Sequence, residues 1–168
     1  MKLRPASPDD AEAIAVTIAE GFDGYRAFAP EGWEPPADLG DVEALRRRIT
    51  GPDVWCAVAE VDGEVVGHCS FVPAAQWRGG DPDPGLAHLW QLFVRPAHWG
   101  SGAARELLAA AVDAAAERGF DRMRLFAAAG QERARRFYER EGWTALAPPA
   151  LDRAFGMETV EYCLALPR

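Results

Sequence analysis

The sequence is short of every feature that marks a secreted, membrane-spanning or metal-stapled chain. Its longest weakly polar run, Leu107 to Ala116, contains Asp113 and is bracketed by Arg105, Glu106 and Glu117, well under the roughly 18 apolar residues a membrane span needs. The opening Met1-Lys2-Leu3-Arg4-Pro5 meets a proline and then Asp9 and Asp10 where a signal peptide would carry its apolar stretch. Cysteines are few: Cys56, Cys69 and Cys163 are odd in number and far apart, which builds neither a disulfide framework nor the close pairs of a zinc site. These absences predict a cytoplasmic chain with reduced, buried thiols, no membrane partner and no metal. Basic charge is in deficit, since 18 Lys+Arg against 26 Asp+Glu leave a net charge of −8. That balance repels phosphate backbones and argues against nucleic acid as a partner. It suits a cationic ligand, and it equally serves solubility alone. No repeat of 20–50 residues and no low-complexity linker divides the chain.

What is present is ordinary globular material. At 168 residues, 49% hydrophobic and 26% charged, the chain has the size and composition of a single domain spanning 1–168, with enough core to fold unaided. Ser7-Pro8-Asp9-Asp10 supplies an N-cap, a proline at the first helical position and an acid at the third. Ala11, Ile14, Ala15, Ile18 and Phe22 then follow helical spacing. Val54–Val61 and Glu64–Val72 read as strands joined by Asp62-Gly63, a dipeptide suited to a tight hairpin. A mobile Gly/Pro/Asp-rich loop is expected from Pro73 to Gly85, and a fourth strand from Ala87 to Val94. A helix follows Gly102, with Ala104, Leu107, Leu108, Ala111, Val112 and Ala115 on one face and Gly119 at its end. Asp121–Ala127 reads as a strand, Gln131–Glu141 as a helix capped by Gly142, and Thr159–Leu166 as strand after a Pro148-Pro149 break. The αβ alternation predicts an α/β class.

Chemistry concentrates where the fourth strand meets its helix. Gly100, Ser101, Gly102, Ala103 and Ala104 place small residues at a helix N-terminus, whose unpaired N–H groups and positive dipole end can wrap a pyrophosphate. Taken alone, the same turn is also an ordinary strand-to-helix connection. It lacks the Gly-Lys-Ser/Thr ending of a P-loop, and Arg105 stands at the third glycine position of a dinucleotide fingerprint.

Two segments resemble the GNAT superfamily of acyl-CoA-dependent N-acetyltransferases. Val94-Arg95-Pro96-Ala97-His98-Trp99-Gly100-Ser101-Gly102-Ala103-Ala104-Arg105-Glu106-Leu107-Leu108 is similar to the family's pyrophosphate loop and following helix. Gln131-Glu132-Arg133-Ala134-Arg135-Arg136-Phe137-Tyr138-Glu139-Arg140-Glu141-Gly142-Trp143 is similar to its second cofactor segment, ending in Tyr-x-x-x-Gly-aromatic. Trp99 stands where the family usually has Gln or Arg, and Gln131 where Asn is common. The resemblance implies a GNAT-like fold: a central mixed sheet of about six or seven strands, flanked by about four helices, with splayed fourth and fifth strands. It implies acetyl-CoA as cosubstrate, with the backbone of Phe93 and Val94 on the pantetheine arm, the amides from Gly100 to Ala104 on the pyrophosphate, and Trp99 and Gln131 nearby. Strand-edge groups near Leu92 and Phe93 would polarise the thioester carbonyl. Tyr138 matches the tyrosine that protonates the leaving thiolate, a transfer between groups of comparable basicity; the same residue also reads as a core aromatic beside Phe137.

The activity implied is acetyl transfer to the primary amine of a small molecule by direct attack. A non-catalytic acyl-CoA sensor and a peptide N-terminal acetyltransferase are the alternatives. Attack requires a neutral amine, so a base is expected, and His88 is the first candidate. The surrounding Ala87-His88-Leu89-Trp90 is similar to the strand where arylalkylamine acetyltransferases place two histidines, with Trp90 in place of the second. A structural histidine, Glu60 or a water chain are the other readings. Strand alternation puts His88, Trp90 and Leu92 on one face and Leu89, Gln91 and Phe93 on the other. Phe22, Tyr25, Phe28 and Trp33, among Asp23, Glu31 and Glu34, either line an amine slot or finish the core. Strand edges near the C-terminus permit a homodimer.

Overall fold

The structure, a computed structural model, describes residues 1–77 and 80–167. Arg78 and Gly79, part of the loop expected to be mobile, lie outside them. The strands are β1 (Lys2–Pro5), β2 (Trp55–Val61), β3 (Glu64–Pro73), β4 (Leu86–Val94), β5 (Arg122–Ala128), β6 (Thr144–Ala145), β7 (Ala150–Asp152) and β8 (Met157–Ala165). The α-helices are α1 (Ala11–Asp23), α2 (Val42–Arg48), α3 (Ala103–Glu117) and α4 (Glu132–Arg140). One mixed sheet runs β1-β2-β3-β4-β5-β8-β6, with β7 also on β8. It has eight strands where six or seven were expected. Pro148 and Pro149 explain the excess: they interrupt the strand that lines β8, leaving β6 opposite Tyr162–Cys163 and β7 opposite Met157–Thr159.

Local signals account for most of these elements. Asp62 and Gly63 both take positive φ, 51° and 85°, the geometry that joins β2 to β3 with the sheet's natural twist. At the start of α1 the Asp10 carboxylate accepts from the Ser7 N–H at 2.7 Å, and both its oxygens take the Arg4 guanidinium at 2.8 Å. Arg4 also reaches Glu60 at 2.9 Å, tying strand, helix and hairpin together. The Arg4 contact, aided by Ser7 against the cost of burial, holds the Asp10 carboxyl at about 2. A depressed carboxyl pKa adds stability that is complete above the unfolded value near 4 and lost as pH falls through 2. Asp10→Asn should therefore lower stability by about 1–2 kcal/mol at pH 7. It should also flatten the unfolding free energy between pH 4 and 2, which denaturant titrations across that range will show.

The sheet is covered on both faces. Leu107, Leu108, Ala111 and Ala115 of α3 pack with Phe71, Leu89, Leu125 and Tyr162 on one side, where Tyr138 of α4 and Trp143 also belong. Ile14, Ile18 and Phe22 of α1 and Leu45 of α2 cover the other. Cys56 and Cys69 are buried, Cys163 is half-buried, and none is paired.

Two features of β4 shape everything that follows. Its parallel pairing with β5 covers only Leu86, Ala87 and His88 against Arg122, Met123 and Arg124, after which the strands part. The expected splay is present, and it leaves Leu89–Val94 without a strand on that edge. The second feature corrects the expected alternation. Against β3, Ser70 pairs with Gln91 but Phe71 with Leu89, so Trp90 is the extra residue of a β-bulge. Past it the faces exchange: Ala87, Leu89, Leu92 and Val94 pack toward α3, whereas Phe93 packs toward α1. Gln91 sits with Phe93 on the α1 side, bonded to a histidine that reaches α1.

Candidate active site

The fork between β4 and β5 opens into a cleft of about 610 Å³, a size suited to small-molecule and cofactor ligands. At one end lies the turn leading into α3. Gly100 and Gly102 have φ of 82° and 93°, values that favour glycine, and a Cβ on either would meet nothing within 4 Å. The two glycines at the start of α3 therefore border open space, while the Ser101 N–H donates to the His98 carbonyl at 3.3 Å. Arg105, Arg133 and Arg140 line the cleft together with Glu132 and Glu141, Arg105 lying 3.6 Å from Glu141, so the guanidinium groups at the turn and on α4 outnumber the carboxylates there, as a polyphosphate site requires.

Trp99 shows how the turn manages without Gln or Arg at that position. Its indole N–H donates to the Val94 carbonyl at 2.8 Å, fixing the loop to the end of β4. The Arg133 guanidinium lies 3.9 Å over the ring. Leu92, Phe93, Val94, Trp99, Gly100, Gly102, Ala103, Ala104, Gln131 and Tyr138 all line this one cleft; Ser101 does not, its hydroxyl being 3.3 Å from the Ala103 N–H. These residues form one lining that runs from the turn at Gly100 and Gly102 to the free edge of β4.

Tyr138 comes from α4 and reaches the cleft with its ring packed against Phe137, Trp143 and Tyr162. Burial, with the neighbouring Cys69 and Tyr25 adding to it, pushes its hydroxyl well above the ordinary tyrosine range. It therefore carries its proton throughout the working pH range. Tyr25, which sequence reasoning placed only in an aromatic slot, stands in the same cleft, and burial raises its pKa as well.

The other expected residues are divided. His88 is not among the described residues lining the cleft. It is 1% exposed under Trp77, with ring centroids 4.3 Å apart. Burial, and then the nearby Arg124 charge, pushes it down to about 3, so it is neutral and a weak base. Glu60 is on β2, held by Arg4 at 2.9 Å and outside the cleft. Of the four aromatics, Tyr25 and Phe28 line the cleft. Phe22 and Trp33 instead join Phe93 and Phe155 in a cluster with ring centroids 5.2 to 6.1 Å apart, and the Trp33 N–H donates to the Phe155 carbonyl at 2.7 Å.

Sequence reasoning missed a buried polar chain. Thr17 Oγ1 of α1 lies 2.6 Å from His68 Nδ1 of β3, and His68 Nε2 lies 3.1 Å from the Gln91 side-chain oxygen. Thr17 and His68 are fully buried and Gln91 nearly so; burial pushes His68 down to about 4, with the Gln91 contact opposing. Gln91 lines the cleft, yet its Nε2 has no hydrogen-bond partner among the described residues. The available signal was a glutamine set among Leu89, Trp90, Leu92 and Phe93. A second cavity, lined by Trp77, Asp81, Arg124, Phe126 and Leu151, shares Phe126 with the first. Its Arg124 is held by Asp81 at 3.1 Å, with Glu161 at 4.0 Å. Among the described residues no cluster of His, Cys, Asp and Glu could hold a metal, and no helix is long and apolar enough to cross a membrane.

Comparison with known proteins bears on this architecture. The family model described as "Acetyltransferase (GNAT) family" matches residues 20–143. No match was found among curated proteins. Among solved structures, PaiA N-acetyltransferase from Thermoplasma acidophilum in complex with coenzyme A superposes with a TM-score of 0.77 at 18% identity, over 95% of this chain and 96% of that one. YncA from Salmonella typhimurium, solved with acetyl-CoA, gives 0.74 at 24% identity, over 100% and 95%. Ribosomal-protein-alanine N-acetyltransferase from Brucella melitensis gives 0.74 at 22%, over 99% and 100%. At these identities the structures establish a shared fold, and the family match extends over most of the chain. The cleft at the fork, its two-glycine turn and the tyrosine on α4 thus sit in a chain that belongs to the GNAT acetyltransferase family.

Proposed function

We propose that the protein transfers the acetyl group of acetyl-CoA to the primary amine of a small molecule, by direct attack of the amine on the thioester. The observation that carries this reading is a single cleft that joins the open Gly100–Gly102 turn to the fork and to Tyr138. When bound, acetyl-CoA supplies an activated acyl group. The amides of Gly100–Ala104 and the basic groups beside them bind its phosphates, the free edge of β4 at Phe93 and Val94 orients the arm, and N–H groups near Leu92 and Phe93 polarise the carbonyl. Tyr138 donates its proton to the departing thiolate. Neither His88 nor Glu60 lines the cleft, so the ammonium of the acceptor loses its proton to water. No cysteine is among the described lining residues, which favours direct transfer over a covalent enzyme intermediate.

Thermal unfolding with and without acetyl-CoA tests the first half of this reading. A ligand at 100 times its Kd adds about 2.7 kcal/mol, which for a chain of this length raises Tm by about 5 to 10 °C. An unmoved Tm at millimolar acetyl-CoA would remove the cofactor from the site. Thiol release with a panel of amines tests the second half. Tight binding with no release from any amine assigns the protein to acyl-CoA sensing instead. Acetylated peptides detected by intact mass would move the acceptor to protein N-termini.

A further inference from the structure

Tyr25 shares the reaction cleft with Tyr138, and the transfer mechanism gives it no task. It sits in the short turn Gly24–Ala27 after α1, 8% exposed. Its ring is held by Phe22, Phe28, Trp33 and Phe155 at centroid distances of 5.0 to 5.9 Å. No described residue hydrogen-bonds its hydroxyl, yet the oxygen keeps solvent access. That hydroxyl is near enough to the one on Tyr138 to add to the rise in the latter's pKa, which sets both on one space. The phosphate turn and Tyr138 belong to the side of the sheet covered by α3. Tyr25, with Gly21, Gly24, Phe28 and Phe93, bounds the cleft from the α1 side. An acyl-CoA that enters along the turn leaves its thioester open to attack from that second side. Every charged residue of the described lining stands elsewhere: His98 and Arg105 at the turn, Glu132, Arg133, Arg140 and Glu141 on or next to α4. Both carboxylates are engaged there, Glu141 3.6 Å from Arg105 and Glu132 2.9 Å from Arg136. Behind Phe93 the ring of His68 is fully buried and neutral. Burial alone raises the pKa of Tyr25, so its oxygen meets the acceptor as a neutral hydroxyl.

An ammonium bound on this side would be stripped of water with no counter-charge, a penalty that one hydroxyl oxygen does not offset. A neutral amine pays far less. We propose that Tyr25 binds the acceptor, its hydroxyl oxygen accepting an N–H of the attacking nitrogen, and that the site selects weakly basic primary amines, namely aryl amines, hydrazides and alkoxyamines. This rests on the acetyl-transfer reading above. The nitrogen lone pair forms the N–C bond, the C–S bond breaks, and the thiolate takes the Tyr138 proton. One N–H proton leaves through water and restores that tyrosine, while Tyr25 keeps its own. A nitrogen of low basicity releases the proton readily and needs no base in the cleft. An alkyl amine starts at a disadvantage: with a pKa of about 10.4, roughly one molecule in 2,500 is neutral at pH 7.

The test uses acceptors of one size and differing basicity: benzylamine, O-benzylhydroxylamine and phenylacetohydrazide. An amine two pH units below its pKa is neutral in about one molecule in 100, so wild-type kcat/KM at pH 7 should favour the two weak bases over benzylamine by about 100-fold or more. The gap should narrow by about tenfold for each pH unit up to 9, as benzylamine loses its proton. Tyr25→Phe keeps the ring and its contacts; it should lower kcat/KM for all three acceptors by about 10-fold, the worth of one hydrogen bond, with KM for acetyl-CoA unchanged. A preference for benzylamine at pH 7, a gap that pH does not narrow, or acceptor kinetics unmoved by Tyr25→Phe would overturn the assignment. If no amine releases thiol while acetyl-CoA still raises Tm, the transfer reading has failed by itself. Calorimetric titration of CoA-loaded wild type and Tyr25→Phe with benzylamine and O-benzylhydroxylamine from pH 6 to 9 then decides the role of Tyr25 without turnover. A benzylamine affinity that rises with pH and is weakened by the Phe substitution supports it; an affinity independent of pH, or equal in the two proteins, overturns it.

Discussion

Tyr138→Phe is expected to lower kcat by about 10-fold or more while acetyl-CoA binds as before, because the change deletes the proton-donating hydroxyl and almost no packing. General acid catalysis contributes about 10²–10⁴ when a positioned group protonates a leaving atom, and water replaces part of it when the group is gone. The ring at 138 is fixed among Phe137, Trp143 and Tyr162, contacts that phenylalanine retains, so stability should change little. Burial holds the Tyr138 hydroxyl above its ordinary range. Its deprotonation therefore cannot produce a basic limb below pH 10 in the wild-type kcat profile. Steady-state rates from pH 6 to 10, with calorimetric titration of CoA into both proteins, check the three statements together. Unchanged turnover would return Tyr138 to the core, where its burial alone would already explain it.

Gly102→Ala should abolish most cofactor binding. The residue caps α3 at φ 93°, where an L side chain costs about 1–2 kcal/mol. Its Cβ would meet no protein atom within 4 Å, so the fold should survive with a Tm lower by a few degrees. The methyl group would, however, stand in the open space over the amides that face the phosphates. A 100-fold loss of affinity would cut the stabilisation at a fixed acetyl-CoA concentration from about 2.7 to about 0.4 kcal/mol, and the Tm shift in proportion. Gly32→Ala is the control. Gly32 has φ 74°, has room for a Cβ and lies outside the cleft, so it should lose comparable stability and keep the full ligand response. Equal ligand response in the two variants would mean that the turn does not hold the phosphates.

Elements specified by neighbouring residues are legible in the sequence itself: the Asp62-Gly63 hairpin, the Ser7-to-Asp10 start of α1, and the small-residue turn into α3 all depend on contacts within a few positions. What escapes such reading depends on partners far along the chain. The bulge at Trp90 arises from pairing with Ser70 and Phe71, and nothing in Leu89-Trp90-Gln91-Leu92 records it. That one extra residue is enough to exchange the faces assigned to Gln91 and Leu92. His88 has the composition of a base, but Trp77 covers it from a loop without periodicity. His68 is 51 residues from Thr17 and 23 from Gln91, so no spacing rule could join them. The split of β6 from β7 is partly visible, since Pro148 and Pro149 mark a break; that both halves return to β8 is not.

The brief contact between β4 and β5 also has a mechanical meaning. Three residue pairs join β1–β4 to β5–β8, and the covalent link between them runs through α3. The sheet is thus two half-sheets riveted at one end, and Leu89–Val94 is a row of backbone donors and acceptors with no rungs on that side. A pantetheine arm carries amides spaced along a chain, much as a strand does. Filling the fork would supply the missing rungs, so that binding the cosubstrate also completes the sheet, and the half-sheets would be least free to hinge while the reaction is under way.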